Sequence, residues 1–389
     1  MGDSRFDARC LSKASVETYF SYYASLQHQQ NMLQDHVRTG SYHSAIVENS
    51  RAFKDKVVVD VGAGTGILSL FAAMAGAKAV FAIEASDMAL QARRLCEANA
   101  SKGGSRVRVV QCKVEEFRLP EEIGKADVLI SEPMGTLLVN ERMLESYVAA
   151  RDLLLKPDGL MFPSHGCIHV CPFYDELLHQ EIVAKSQFWQ QKNYFGLDLS
   201  VLSEDAKSAY FSQPVVDAIS PSSLMSSPVS YPIDFTSVSE EALKEIVIPL
   251  YFQNFQYPVV SHGLACWFDV EFGSRVGARP AASDDEDSSM ELGTSGRNSK
   301  NFFLTTAPGE PTTHWFQIRM VLRETLKLMP GHRLEGHLKM KAHSRQSYDV
   351  EVELAAFTGE GLEVGDPCTG KFDLKDPYYR QLVSYPNHG

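Results

Sequence analysis

The segment that most constrains this chain is Val59-Asp60-Val61-Gly62-Ala63-Gly64-Thr65-Gly66. It grows out of a β-branched run that begins at Val57 and leads into Ile67 to Ala75, an apolar stretch closed by Gly76. A short run of valines reads as a strand buried on both faces, the habit of a parallel sheet. Glycines let the backbone take positive φ and come close to a ligand. The stretch behind them reads as a helix stopped by glycine. Strand, glycine loop and helix in that order make one unit of an α/β domain.

The unit recurs. Residues 79–83 read as a strand ending in Glu84, and Ser86 is placed to cap a helix over 87–100 with Asp87 in its first turn. Further strands are expected at 107–112 and 127–131, and a helix over 141–155 that stops near Pro157, Asp158 and Gly159. Such alternation specifies a doubly wound parallel sheet. Upstream, residues 12–48 read as helical, with Tyr19, Tyr22, Tyr23, Leu26, Leu33 and Val37 at helical intervals. Beyond Pro163 the pattern changes to strict alternation. Tyr348, Val350, Val352 and Leu354 are interleaved with Asp349, Glu351 and Glu353, and Leu334, Leu338 and Met340 with charged neighbours. These are antiparallel strands with one buried face, hence a β sandwich or barrel. Residues 174–210 interrupt it with a helical stretch, and 273–300, carrying Asp284, Asp285, Glu286 and Asp287, read as a disordered insertion.

The glycine spacing is Gly-x-Gly-x-Gly, which departs from the dinucleotide fingerprint that cradles pyrophosphate. Glu84 ends the next strand, where an acid can take both ribose hydroxyls. An acid beside a ribose with no phosphate cradle fits S-adenosylmethionine better than a nicotinamide cofactor.

The strand over 127–131 delivers Glu132, followed by Pro133-Met134-Gly135, and Glu141 lies nine positions on. In a doubly wound sheet the loops after strand ends line the ligand crevice, and Pro133 and Gly135 allow this one to fold back. Two carboxylates would then face one cation. A guanidinium is always charged and spreads its charge over three nitrogens. A carboxylate paired with one side of the fork draws charge there and returns nucleophilic character to the other nitrogen. The second carboxylate orients that nitrogen for in-line attack. Amino-methyltransferases acting on nucleic-acid bases usually carry Asp/Asn-Pro-Pro-aromatic at this strand end. Ser131-Glu132-Pro133-Met134 does not match it.

Composition removes other classes. A net charge of −12 argues against direct binding to nucleic acid backbones and suits basic partners. No stretch approaches the ~20 apolar residues of a membrane span, and no signal peptide is evident. Seven scattered cysteines without a Cys-x-x-Cys suit a reducing compartment, cytoplasm or nucleus. His165, Cys167, His169 and Cys171 alternate on one strand, too far apart to close on a single zinc, so no metal site is expected.

Taken together, Asp60 to Ser69, Glu84, the loop from Ser131 to Tyr147, and Thr313-His314-Trp315 resemble the motifs of type I protein arginine methyltransferases. Ser-Glu-Pro-Met-Gly with Asn-Glu-Arg-Met-Leu-Glu-Ser-Tyr is similar to the coactivator-associated arginine methyltransferase subgroup, as are Gln29-Gln30-Asn31-Met32 and Arg345-Gln346-Ser347-Tyr348-Asp349. The resemblance runs over residues 15–380. It implies a helical segment over 1–50 covering the donor, a Rossmann-like S-adenosylmethionine-dependent domain over 51–162, and an antiparallel β barrel over 163–389 whose helical arm, near 174–210, makes a homodimer. Glu132, Glu141 and His314 are implied as the catalytic set, His314 relaying a proton. Tyr19, Phe20 and Tyr23 are implied to cover the donor and shape the arginine channel. Arg38 is implied to pair the donor carboxylate, with Gln29 and Met32 nearby. Asp60, Gly62, Gly64 and Glu84 form the glycine-loop side, and Val114, Glu115, Met143 and Ser146 the side toward adenine and sulfur. The expected substrates are arginine-containing proteins, histone tails among them, giving monomethyl- and asymmetric dimethylarginine in nucleus and cytoplasm. A methyltransferase for small molecules or nucleic acid, and a non-catalytic scaffold, are the alternatives. Three departures stand out: Ala63 in place of the usual Cys, Thr136 in place of a Tyr and Val139 in place of a Phe. The extra N-terminal domain of the animal subgroup is not matched.

Overall fold

The computed structural model describes residues 11–273 and 302–380. All of the expected insertion over 273–300 except Gly273 lies outside the described residues.

The N-terminal region is three helices, where the pattern suggested one continuous stretch: α1 Lys13–Tyr23, α2 Leu26–Gln34 and α3 His36–Val47. The chain breaks at Ser25 and Asp35, both extended in backbone. Asp35 caps α3, its Oδ1 accepting the Arg38 N–H at 2.9 Å, a competition with helix continuation that Ser and Asp are suited to win. A short α4 Ser50–Phe53 leads into the first domain.

There β1 Val57–Val61, α5 Ile67–Met74, β2 Ala79–Glu84, α6 Met88–Ala98, β3 Val107–Gln111, β4 Ala126–Ser131, α7 Met143–Leu154 and β5 Leu155–Phe162 follow in order. The five strands form one sheet, β3-β2-β1-β4-β5, parallel throughout. Val58, Val59, Leu129 and Ile130 are fully buried, each worth about 1.5–3 kcal/mol of removal from water. The strand order reverses between β1 and β4, and ligands bind beyond the carboxyl ends at such a switch point. The glycine loop, Glu84 and Glu132 all sit at that edge. The helix expected over 141–155 is shorter at both ends. Glu141 and Arg142 have φ of 69° and 57°, outside the helix, and Leu155 already begins β5, which carries Pro157, Asp158 and Gly159 within it.

The second domain holds β6 His165–Phe173, α8 Glu176–Gln187, α9 Ser203–Phe211, β7 Val215–Asp217, β8 Val229–Asp234, α10 Glu240–Lys244, β9 Glu245–Phe252, β10 Val259–Phe272, β11 Phe302–Thr305, β12 Gln317–Leu328, β13 Arg333–His343, β14 Ser347–Phe357, β15 Glu363–Asp373 and β16 Tyr378–Tyr379. One sheet runs β16-β7-β12-β10-β6-β8 with β11 on β10, and a second runs β15-β14-β13-β9. The alternation seen in sequence is the burial pattern. Tyr348, Val350, Val352 and Leu354 are buried while Asp349, Glu351 and Glu353 face out, as side chains two apart share a face. Helices α8 and α9 bury Leu178, Ile182 and Phe211 against Phe173, Ala265 and Val321 of the barrel, while Leu177 and, between the two helices, Phe195 and Val201 are largely exposed.

Candidate active site

A cavity of about 600 Å³ opens at the switch point of the parallel sheet, roofed by α1 and α2 and bounded by barrel residues His314 and Trp315. Of the residues expected there, Tyr19, Phe20, Tyr23, Gln29, Met32 and Arg38 line it from the helices. Gly62, Gly64 and Glu84 line it from the first two strand ends, and Val114, Glu115, Met143 and Ser146 from the opposite wall. Glu132, Glu141 and His314 face the same space. Asp60 does not line it. It lies fully buried behind the glycine loop, accepts from Ser69 Oγ at 2.7 Å, and burial pushes its carboxyl up to about 7. Its hydrogen bond ties β1 to α5 through Ser69.

The glycine loop is shaped for close approach. Gly64 has φ of 53°, and a Cβ there would stand 2.7 Å from Gln29 Oε1. Gly62, at φ 67°, would meet Met143 Cε at 3.3 Å. Glu84 is held by the Gly64 N–H at 2.8 Å and the Ser86 N–H at 2.7 Å, which aims its remaining lone pairs along the cavity floor. Ser146 Oγ donates to Glu115 Oε1 at 3.0 Å, joining two of the four residues of the far wall. Arg38 is 5% exposed and its Nε is buried without a hydrogen-bond partner. An orphaned guanidinium donor at one end, an acid on the floor and bare glycine backbone between them fit an amino-acid carboxylate, a ribose and the body of S-adenosylmethionine. The volume lies within the usual range for such ligands.

The second acid of the pair, Glu141, sits on a strained backbone. The loop after β4 takes positive φ at Leu137, Leu138, Glu141 and Arg142, conformations costing about 1–3 kcal/mol each for non-glycine residues and typical of functional sites. Glu141 Oε2 accepts from the Tyr23 hydroxyl at 2.7 Å. Burial and the nearby Glu132 push the Glu141 carboxyl up, while the Tyr23 hydrogen bond draws it back. Glu132 Oε2 accepts from Arg38 Nη2 at 3.1 Å. Arg38, expected for the donor carboxylate, therefore also orients the first acid of the pair.

Tyr23→Phe removes the hydrogen bond that lowers the Glu141 pKa. The acid limb of kcat/KM, which reports groups of the free enzyme, is expected to move to higher pH in that variant. A limb that stays put or moves down in the pH profile contradicts the assignment.

His314 Nδ1 lies 2.7 Å from Asp35 Oδ2, and the same oxygen accepts the His314 backbone N–H at 2.8 Å. Burial works against ionisation of Asp35, yet its hydrogen bonds with His314 and the Arg38 backbone hold the carboxyl below its ordinary value. An ionised carboxylate only accepts, so Nδ1 carries the proton and Nε2 is left for the cavity. Asp35 was missed in the sequence, where its one signal is its place as a helix cap three residues before Arg38. Missed too were Tyr22, His28, Lys375, Pro377 and Tyr379, which line the cavity together with Thr136, already singled out in the sequence as a departure. Trp315 Nε1 donates to the Met134 carbonyl at 3.2 Å, so the Thr-His-Trp loop of the barrel is fastened to the acidic loop of the sheet domain. The alternating His165, Cys167, His169 and Cys171 lie on β6, away from the cavity lining. His169 there is engaged by Asp269 at 2.9 Å.

Fold and site together define an S-adenosylmethionine-dependent methyltransferase. A methyltransferase-domain model matches residues 58–159, and a model described as the arginine methyltransferase oligomerization subdomain matches residues 164–284. A probable histone-arginine methyltransferase CARM1 of Oryza sativa subsp. indica is 51% identical over 389 residues, with 98% of this chain and 68% of that protein covered. The histone-arginine methyltransferase CARMER of Drosophila yakuba is 43% identical over 368 residues, covering 95% of this chain and 63% of its own length. Among solved structures, Arabidopsis thaliana protein arginine methyltransferase 10 superposes with a TM-score of 0.77 at 30% identity, over 91% of this chain and 99% of that one. The Trypanosoma brucei PRMT1 enzyme–prozyme complex with AdoHcy gives 0.72 at 31%, over 90% and 99%. The chain belongs to the protein arginine methyltransferase family and uses S-adenosylmethionine to methylate arginine.

Proposed function

We propose that the protein is a type I enzyme that methylates arginine in histones and other nuclear or RNA-associated proteins, giving monomethyl- and then asymmetric dimethylarginine. The observation that carries this reading is the convergence of Glu132 and Glu141 on one cavity wall beside His314. Bound S-adenosylmethionine supplies a methyl group on a positively charged sulfur. Everything else falls to side chains of this chain. Glu141 takes one side of the guanidinium fork and localises its charge there. Glu132, fixed by Arg38, sets the orientation of the remaining nitrogen. His314, with Nε2 free and Asp35 behind it, accepts a proton in relay as the guanidinium is alkylated. Tyr19, Phe20 and Tyr23 close over the reacting groups and exclude water.

The names of the relatives, which specify histone-arginine methylation, support the substrate class. The exposed apolar side chains on the arm, with the matched oligomerization subdomain, support a homodimer. Six free cysteines among the described residues support residence in nucleus and cytoplasm. The expected result with histone-tail peptides is transfer to arginine, lost when the arginines become lysine. Fragmentation by mass spectrometry should show asymmetric dimethylarginine, and sedimentation a particle of two chains. Symmetric product, or transfer only to small molecules or nucleic acid, overturns the reading.

A further inference from the structure

Helix α8 is rooted in the barrel through a buried histidine. Ser261 of β10 pairs with Leu326 of β12 and Gly263 pairs with Val321, so His262 stands in an irregularity between two stretches of ladder. Its side chain is 1% exposed. Nδ1 accepts the Asp175 N–H at 3.2 Å. A backbone N–H can only donate, so Nδ1 carries no proton and the ring proton sits on Nε2. Nε2 lies 3.0 Å from Glu176 Oε2 and donates to it. The tautomer is thereby fixed, and the ring is neutral.

Asp175 caps α8. Its Oδ1 accepts the Leu178 N–H at 2.9 Å, its carbonyl accepts the His179 N–H at 3.1 Å, and its Oδ2 accepts from Arg319 Nη1 at 2.5 Å. His262 therefore holds the backbone of the residue from which the first turn of the helix hangs. Around the ring, α8 presents Asp175, Glu176 and His179, the last with its ring centroid 5.2 Å away. Tyr174, just before the helix, also stands at 5.2 Å. From β12 come Arg319, engaged with Asp175 and with Asp217 of β7, and Arg323, whose guanidinium turns to Glu204 of α9. From β6 comes the apolar Phe173, opposite Gly263. Burial holds the His262 imidazole below its ordinary value, Glu176 pulls the other way, and a charge on His179 would work with burial. The Glu176 side chain is 46% exposed, so its attraction is screened by water.

A proton on Nδ1 turns this acceptor into a donor that faces another donor. The Asp175 N–H then loses its partner where burial makes an unmade hydrogen bond costly. We infer that His262 is a proton switch at the root of the arm: neutral, it pins the first turn of α8, and protonated at Nδ1 it releases that turn and weakens the homodimer that the arm makes. The second half rests on the homodimer reading above. An imidazole held low in the folded protein contributes stability that is whole above its unfolded value of about 6.5 and is lost as pH falls. The pin holds at neutral pH and lets go in mild acid.

The experiment uses the full chain at about pH 7.5 and about pH 5.5, on either side of the ordinary imidazole value. Amide hydrogen exchange over residues 174–187 is read by mass spectrometry and corrected for its intrinsic dependence on pH. Sedimentation gives the dimer dissociation constant of the same samples. Turnover is not the readout, because the Glu141 carboxyl in the cavity is itself shifted upward. In the wild type, corrected exchange at the start of α8 is expected to rise about tenfold in acid, and the dissociation constant about tenfold with it. His262→Asn keeps an acceptor near the Nδ1 position and has no proton to take up, so both quantities should stay within about twofold. His262→Gln keeps a donor toward Glu176 but not the acceptor, so its exchange should be raised already at the higher pH and flat below it. Either variant decides the matter should the other fail to fold. His179→Gln should leave the acid response in place. A wild type without the response, a full response in His262→Asn or His262→Gln, or its loss in His179→Gln each overturns the switch. Loosening of α8 at a constant dissociation constant overturns its coupling to the dimer. A wild type that is monomeric at the higher pH, with the exchange response intact, removes the homodimer reading and leaves the pin standing.

Discussion

Glu141→Gln is expected to reduce kcat/KM for an arginine peptide by roughly 10³-fold or more, about 4 kcal/mol of transition-state stabilisation, while donor affinity stays within about threefold. The amide keeps the volume and can still accept one hydrogen bond, but it lacks the charge that localises positive charge on one side of a guanidinium. That charge is needed most as the attacking nitrogen becomes electron-rich, so the loss falls on kcat more than on binding. Donor binding is expected to be spared because the residues proposed for the donor side are others that line the cavity: Glu84 on the floor, the bare backbone of Gly62 and Gly64, and Arg38 at the end. Single-turnover kinetics with radiolabelled donor, together with calorimetry, separate the two quantities. Near wild-type turnover in Glu141→Gln removes the charge argument. An equal collapse of donor affinity shows that the loop, not the carboxylate, was lost.

What the sequence made legible follows from which physics is local. The parallel sheet is readable because β1, β2 and β4 are apolar runs buried on both faces, and the barrel because β14 alternates with period two. The glycine loop is readable because Gly62 and Gly64 are the residues that positive φ and crowding by Met143 and Gln29 demand. Glu141 was legible as an acid but not as a left-handed residue. Glutamate is a good helix former, and the override comes from barrel contacts far away in sequence. Asp35 lay hidden inside what read as one helical stretch over 12–48, since its role depends on His314, 279 positions on. Asp60 shows the opposite error. Adjacency to the glycine loop suggested contact with ligand, whereas strand alternation turns its side chain behind the loop, toward Ser69. The cavity mouth formed by Lys375 and Tyr379 carries no local pattern at all.

The strained loop bearing Glu141 needs an anchor, and the buried pair Arg142–Glu145 supplies it. Arg142 Nε and Nη2 meet the two Glu145 oxygens at 2.7 and 3.0 Å, with side chains 3% and 1% exposed. Arg142 Nη1 reaches across to the His343 carbonyl of β13 at 2.9 Å. Beside it, Ser347 Oγ donates to Asn140 Oδ1 at 2.6 Å. The barrel thus grips the residues on either side of Glu141, offsetting the cost of its left-handed backbone. Glu145→Ala strands a guanidinium in the interior, and removing one partner of a buried pair costs about 3–5 kcal/mol. A drop of that size in denaturant unfolding is expected, along with a loss of methyl transfer larger than the loss of donor binding, because the Glu141 backbone loses its tie to β13. Replacing both partners by apolar residues, Arg142→Met with Glu145→Leu, leaves no buried charge and should recover most of the stability. It should not recover activity, since the contact with the His343 carbonyl stays broken. If the double replacement restores turnover as well as stability, the pair only fills space, and the position of Glu141 is set by the loop itself.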